Sequence, residues 1–222
     1  MVCNGQDQKE KYIFFDAIVG IENSDLHYGK VYQEKHRVKS KKTKFFPEPD
    51  FVLGSVVFKG QSYFDINLKY NVYDDELLML VDKQFGGSIL QLHKEHVTSF
   101  KIGNHFFIKI ENTELTNGFY EVALEKSVFS LLKKHLKSPK QLLGEKQVFY
   151  EFEDDEKEYF LLYQDDNHSI EKATDLIAIF SKYQTELRSF EGKQDSGLPF
   201  EIRVGNLLEY LDTLVSDAND KI

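Results

Sequence analysis

Three groups of residues have types and spacing that could do chemistry. His93 and His96 flank Glu95, and His105 follows close behind, so three imidazoles are available as metal ligands. The order is His-x-x-His, with the glutamate misplaced for the His-Glu-x-x-His of a helical zinc protease. In a strand, side chains three apart point to opposite faces, so these rings meet only in a turn; otherwise they are solvent-facing histidines around a hairpin. Asp65, Asp74, Asp75 and Glu76 cluster beside Tyr63, Tyr70 and Tyr73, a combination of carboxylate acceptors and aromatic platforms that suits a calcium loop or a carbohydrate-binding face. The Asp-x-Asp-x-Asp-Gly spacing of a calcium loop is missing, and Asp74-Asp75-Glu76 reads equally well as an ordinary turn.

The third group is basic: Lys35, Arg37, Lys39, Lys41, Lys42 and Lys44 crowd one stretch with His36, followed by Phe45 and Phe46. Such a stretch can bind phosphate or an acidic partner. It can also lie against the chain's own acidic run, Glu151, Glu153, Asp154, Asp155, Glu156 and Glu158. The net charge is −9, which repels nucleic acid and anionic membrane over distance, and no aromatic platforms interleave the cations. Nucleic acid is therefore not expected as a partner.

Other chemistries lack their residues. There is no Gly-x-Ser-x-Gly elbow and no glycine-rich phosphate loop, and the sole cysteine is Cys3. With 37 acidic residues almost any pair can be proposed as a glycosidase dyad, so none is. No catalytic residue, cofactor or metal is assigned, and whether the chain is an enzyme stays open.

The elements that must carry these residues are mostly strands. Nineteen Phe and 12 Tyr without a Trp favour pleated, half-buried surfaces. Residues 11–19 form a first apolar run, and residues 31–38 alternate as an exposed strand would. After Pro47 and Pro49, strands are expected at 52–58, 63–73, 76–81, 88–92, 97–102, 105–110 and 119–124. Turn signals recur every 8–12 residues or so, the rhythm of an antiparallel meander. Residues 128–136 read as a strand, and 148–152 pairs with 158–163 in a hairpin around the acidic turn. From Ser169 the apolar period becomes helical, with Ser169 as N-cap and Gly192 as stop, and a second helix starts near Asn206. The expected fold is α+β: a β-rich meander, sandwich or open barrel-like, at 11–165 after a terminus at 1–10, with helices at 166–222 packing on it as one domain.

The segment from Gly54 through Tyr63, Tyr70 and Asp75 to Leu78, with the later Gly118-Phe119-Tyr120, resembles an uncharacterised family of exported cell-envelope proteins of the Bacteroidota. The resemblance implies a location and a fold, not an activity. It accords with Met1–Gln6, which reads as the tail of a secretory signal cleaved before Gln6; Cys3 as a lipidated residue is the rival reading, although Val2 stands where a small residue is usual. No 18-residue apolar run marks a transmembrane segment, while peripheral membrane association stays open. The expectation is a periplasmic or envelope-associated binding or assembly module whose partner is another envelope protein, with a cytoplasmic location as the alternative. The competing function is a carbohydrate-binding protein or hydrolase with its site near Tyr63–Glu76.

Overall fold

The computed structural model of the chain describes residues 24–81, 87–111, 115, 117–145, 147–164 and 166–219. Cys3 and the apolar run at 11–19 lie outside them. The described chain is mostly antiparallel sheet followed by helices, as its alternation and its later helical period require. It falls into two compact units: one holds the described residues up to Val122 together with Lys134–Lys157, the other holds Ala123–Lys133 and those from Glu158 onward.

In the first unit the strands are β1 (Lys30–Val31), β2 (Phe45–Phe46), β3 (Val52–Phe58), β4 (Gln61–Asn71), β5 (Glu76–Leu80), β6 (Ile89–Gln91), β7 (Val97–Ile102), β8 (His105–Ile110) and the start of β9 (Gly118–Glu125). They neighbour one another in the order β1-β6-β5-β4-β3-β7-β8-β9, with β2 on the end of β4; the order does not return on itself, so the sheet is open and not a closed barrel. The alternating strand expected at 31–38 shortens to β1, because the chain leaves the sheet after the Tyr32 amide bonds the Ile89 carbonyl.

Two bulges set which residues face inward. Tyr63 and Ile66 are both buried although three apart, because Asp65, at φ 56°, is an extra residue opposite the Gly54/Ser55 step of β3. Val97 and Phe100 are buried in the same way, since Thr98 has no partner where the β3–β7 register shifts. Tyr70, Phe100, Phe107 and Phe119 meet in the core, Phe100 and Phe107 stacked at 4.7 Å and the Phe119 ring edge-on to Phe100 at 5.0 Å.

β11 (Lys137–Leu143) and β12 (Val148–Asp154) pair with each other over seven positions as a separate two-stranded sheet. This corrects the expected hairpin between 148–152 and 158–163. The acidic segment at 153–157 is no tight turn: β12 turns back on β11, whose Lys-Ser-Pro-Lys-Gln run lacks apolar alternation and whose two leucines come only at its end.

The second unit contains the end of β9, β10 (Phe129–Lys134) as far as Lys133, β13 (Glu158–Tyr163), β14 (Asp166–Ser169) and three helices, α1 (Ala173–Ile179), α2 (Gln184–Glu191) and α3 (Phe200–Asn219). Phe129, Leu131, Leu161, Leu176, Leu187, Val204, Leu207 and Leu211 share its core. Residues 128–136 thus hold a strand, as read. Ser169 is not an N-cap, because β14 continues through it and the Ile170 amide still bonds the Tyr159 carbonyl at 2.9 Å. Asp175 caps α1 instead, accepting from the Glu171 and Lys172 amides at 2.9 and 2.8 Å. The expected single helix breaks at Phe180, whose ψ of 56° leaves the helical region while its ring packs on Tyr163 and Phe129. Gly192 does end α2, and α3 starts at Phe200, earlier than Asn206, directly behind Pro199.

Gly54 is fixed by close approach: a Cβ there would lie 2.1 Å from the Lys101 carbonyl oxygen, a backbone atom that cannot step aside. Gly54→Ala is expected to lower the unfolding free energy by about 2–3 kcal/mol. Urea titration read at β3 by amide exchange checks this.

Candidate functional site

The turn between β4 and β5 sends two adjacent carboxylates into two different polar clusters. Asn71, fully buried at the end of β4, donates from its amide to Asp74 Oδ2 at 2.7 Å and accepts the Asp74 backbone N–H at 3.2 Å. Asp75 then takes φ 53°, a left-handed conformation that aspartate tolerates better than most residues.

Asp75 is the centre of the first cluster. Its Oδ1 accepts from the Tyr70 hydroxyl at 2.6 Å; its Oδ2 accepts from Lys94 Nζ at 2.7 Å and Lys134 Nζ at 3.2 Å. The Phe119 amide reaches the same carboxylate at 3.3 Å. Burial, and then the Asp75 charge, push the Tyr70 hydroxyl well above its ordinary range, so it remains a donor. Gly118 leaves room for this contact, since a Cβ would sit 2.1 Å from Asp75 Oδ2 and 2.3 Å from Lys134 Nζ. The cluster is closed around its carboxylate, which suits a structural tie.

Lys44 is the centre of the second. It is 1% exposed, so the basic stretch is not a surface at this residue, contrary to the expectation from its sequence neighbours. Its Nζ lies 2.9 Å from Glu34 Oε1 and 3.3 Å from both Asp74 Oδ2 and His36 Nδ1. Tyr32 donates its hydroxyl to Glu34 Oε2 at 2.9 Å. Burial works against the Lys44 charge, but its hydrogen bonds to Tyr32 and Glu34 outweigh it and raise the ammonium above its usual range. Burial likewise pushes the Tyr32 phenol up to about 12. For Asp74 and Glu34 burial acts upward too, yet hydrogen bonds, from Asn71 and from the His36 amide first and then from Lys44, hold both carboxyls below their ordinary values. Glu76 goes the other way, raised by burial and then by the charge of Asp74. Beside Lys44 opens a cleft of about 200 Å³ lined by Lys30, Val31, Tyr32, Gln33, Lys35, Lys44, Asp74, Glu76 and Gln91.

The histidines separate. His93 Nε2 is 3.2 Å from the Tyr28 carbonyl, and its ring lies 6.1 Å from that of His96. His105 Nδ1 instead meets Glu121 Oε1 at 2.5 Å, while Glu121 Oε2 meets His135 Nε2 at 2.6 Å, with Phe46 against both imidazoles. Among the described residues no group of three or more His, Cys, Asp or Glu is placed to hold a metal ion.

The remaining sequence candidates divide by burial. Tyr63 and Tyr70, 2% and 1% exposed, are core residues and not ligand platforms, because the Asp65 bulge and the alternation of β4 turn both inward. Tyr73 is partly exposed, packed against His36 and Phe152. The basic stretch runs beside β12: the Tyr150 and Phe152 amides bond the carbonyls of Arg37 and Lys42, Arg37 bonds Gln147, Lys39 lies 3.7 Å over the Phe149 ring, and Lys42 pairs with Glu153 at 3.2 Å. Lys41 is exposed, and Lys35 lines the cleft. The intramolecular use of these cations thus accounts for most of the stretch. Sequence reasoning missed Tyr32, Glu34, Lys94, Gly118, Glu121, Lys134 and His135. Only Tyr32 and Glu34 carried a signal, being two apart on one face of an alternating run.

Lys44→Met strands two carboxylates and is expected to cost about 2–3 kcal/mol, less than the loss of a fully buried pair because Glu34 is 42% exposed. The unfolded chain takes up protons near 4.5 and 3.8, which folded Glu34 and Asp74 resist. Their contribution is therefore complete above those values and is lost as pH falls through the lower folded ones. Asp74→Asn is expected to flatten that acid limb in chemical unfolding measured from about pH 6 to about pH 2. Glu76 has the opposite sign, its contribution complete below 4.5 and lost as pH rises through its higher folded value, so Glu76→Gln is expected to be at least as stable as the parent at neutral pH. Compared with known proteins, the chain matches no family model, no curated protein and no solved structure.

Proposed function

We propose that this protein is a non-catalytic binding or assembly module of the cell envelope that engages another protein through the tip of the β11–β12 hairpin. The observation that carries this reading is the exposure of Leu143 at 88%, with Leu142 at 37% and Val148 at 38% beside it. Leu143 and Val148 face each other across the ladder and present one apolar patch next to the turn in which the Gly144 amide bonds the Gln147 carbonyl. A two-stranded hairpin alone is marginal in water. Here the strap at 37–42 supports it through backbone bonds to β12, so its tip is held out on a braced base. Pro139 and Lys140 blunt the β11 edge against strand addition, which leaves the tip side chains as the contact.

The acids of β12 are matched by cations: Lys42 pairs with Glu153, Lys137 with Asp154, and Lys140 lies opposite Glu151, so the hairpin offers no field of one sign and its apolar side chains set the contact. The fitting partner has an apolar groove. An envelope location is supported by the resemblance carried by Gly54–Leu78.

The test is affinity capture by the tagged protein from the envelope fraction of the source cell, beside a Leu142→Ser/Leu143→Glu variant. Both residues are exposed at a hairpin tip, so the variant is expected to fold. A stoichiometric partner that photo-crosslinks at position 143 and is depleted about tenfold or more by the variant is the expected result, a loss of ~1.4 kcal/mol. Recovery of the protein alone, or capture unchanged by the variant, overturns the reading.

A further inference from the structure

We propose that the cleft beside Lys44 is a binding site for one neutral, hydroxyl-rich ring, a pyranose, seated between Tyr32, Glu76, Asp74, Gln33 and Gln91. This is independent of the hairpin contact, and it moves the carbohydrate chemistry expected near Tyr63 to a different aromatic residue.

The size of the cleft limits the ligand. At about 200 Å³ it falls below the roughly 300–1,000 Å³ of sites that enclose a drug-sized molecule, so it takes a single ring and not a nucleotide or an extended cofactor. Its lining sets the chemistry. Carboxylates accept from hydroxyls, the amides of Gln33 and Gln91 both donate and accept, and the half-buried Tyr32 supplies an aromatic surface for the C–H face of a sugar. Lys30 and Lys35 are exposed and add donors.

The electrostatics exclude strongly charged ligands. Lys44 is the one fully buried cation of the lining, and Glu34 and Asp74 already balance it. Lys30, Lys35 and Lys44 share the lining with Asp74 and Glu76, so neither a phosphate nor an ammonium finds a field of one sign. Asp74 and Glu76 are also displaced in opposite directions from their ordinary acidities, which gives a firm acceptor beside a carboxyl that holds its proton more readily. A hydroxyl group, donor and acceptor at once, matches such a pair. The cluster of Lys44, Glu34 and Asn71 holds Asp74 and Tyr32 in position before any ligand arrives.

The experiment is saturation-transfer NMR and calorimetry on the full chain with glucose, galactose, mannose and N-acetylglucosamine, their linear hexasaccharides, and inorganic phosphate and citrate as charged controls. At least one sugar is expected to bind with Kd near about 1 mM, typical of a shallow single-ring site. A hexasaccharide binding more tightly than its monomer identifies a polysaccharide source; equal affinities identify the free sugar. Glu76→Ala and Gln91→Ala are expected to weaken binding at least about tenfold, a loss of ~1.4 kcal/mol, and Tyr32→Leu to abolish it. Should Tyr32→Leu fail to fold, the other two variants carry the decision. No sugar binding up to about 10 mM, binding unchanged in Glu76→Ala and Gln91→Ala, or binding of phosphate or citrate alone overturns the proposal. Loss of the hairpin partner in the Leu143 variant leaves sugar binding intact, so the two readings fail separately.

Discussion

The first unit is tied together by the carboxylate of Asp75. Its donors come from β4 five residues back, from the segment before β7, from the start of β9 and from the end of β10, positions separated from it by up to 59 residues. An anion this enclosed is tolerated only because two ammonium groups and a phenol reach it together. Lys134 is held in addition by the Phe119 carbonyl at 3.2 Å, and Lys94 keeps part of its side chain in solvent. The arrangement fixes one register of the turn, requires a glycine at 118, and decides where Lys134 points as β10 leaves the second unit.

Asp74, one residue earlier, performs the same service for Lys44. Because Asp75 adopts a left-handed backbone, the two neighbouring carboxylates diverge and serve separate lysines. Glu121, held between His105 and His135, is a third enclosed carboxylate. The unit therefore buries charge repeatedly around its aromatic core. Such ion clusters contribute less to net stability than apolar packing would, but breaking one leaves an orphaned charge, which ties the geometry to a single solution.

This economy shapes what is left for binding. Of the basic stretch only Lys44 is buried; the strap at 37–42 braces β12 through its backbone carbonyls while its cations stay exposed. The hairpin tip exposes Leu143 and Val148 beside Glu145 and Gln147, and the cleft is lined mostly by polar groups of both signs. A macromolecular contact at the first and a small neutral ligand at the second are the two uses that match those surfaces.

The strands at 52–58, 97–102 and 105–110, the strand character of 128–136 and the turn at Asp74-Asp75 were legible in the chain, because alternation and turn chemistry are local. So were the helical period after residue 170 and the antiparallel meander; that its sheet stays open was decided by the strand order in space. The pairing of β12 with β11 was not legible, since the Lys137–Gln141 part of β11 is polar and its Pro139 argues against a strand. Nor was the break at Phe180, where ring packing overrides helical propensity. The candidate cleft was half visible: Asp74 was named, whereas Tyr63 and Tyr70 were read as platforms until a bulge at Asp65 turned them into core. The sequence by itself determined the strongly patterned strands and the change to a helical period, because those preferences act within a few residues. Tertiary structure alone decided which lysine is buried, which carboxylate it meets and which tyrosine remains at the cleft, because a charge or a ring acquires its role from groups brought to it across dozens of residues.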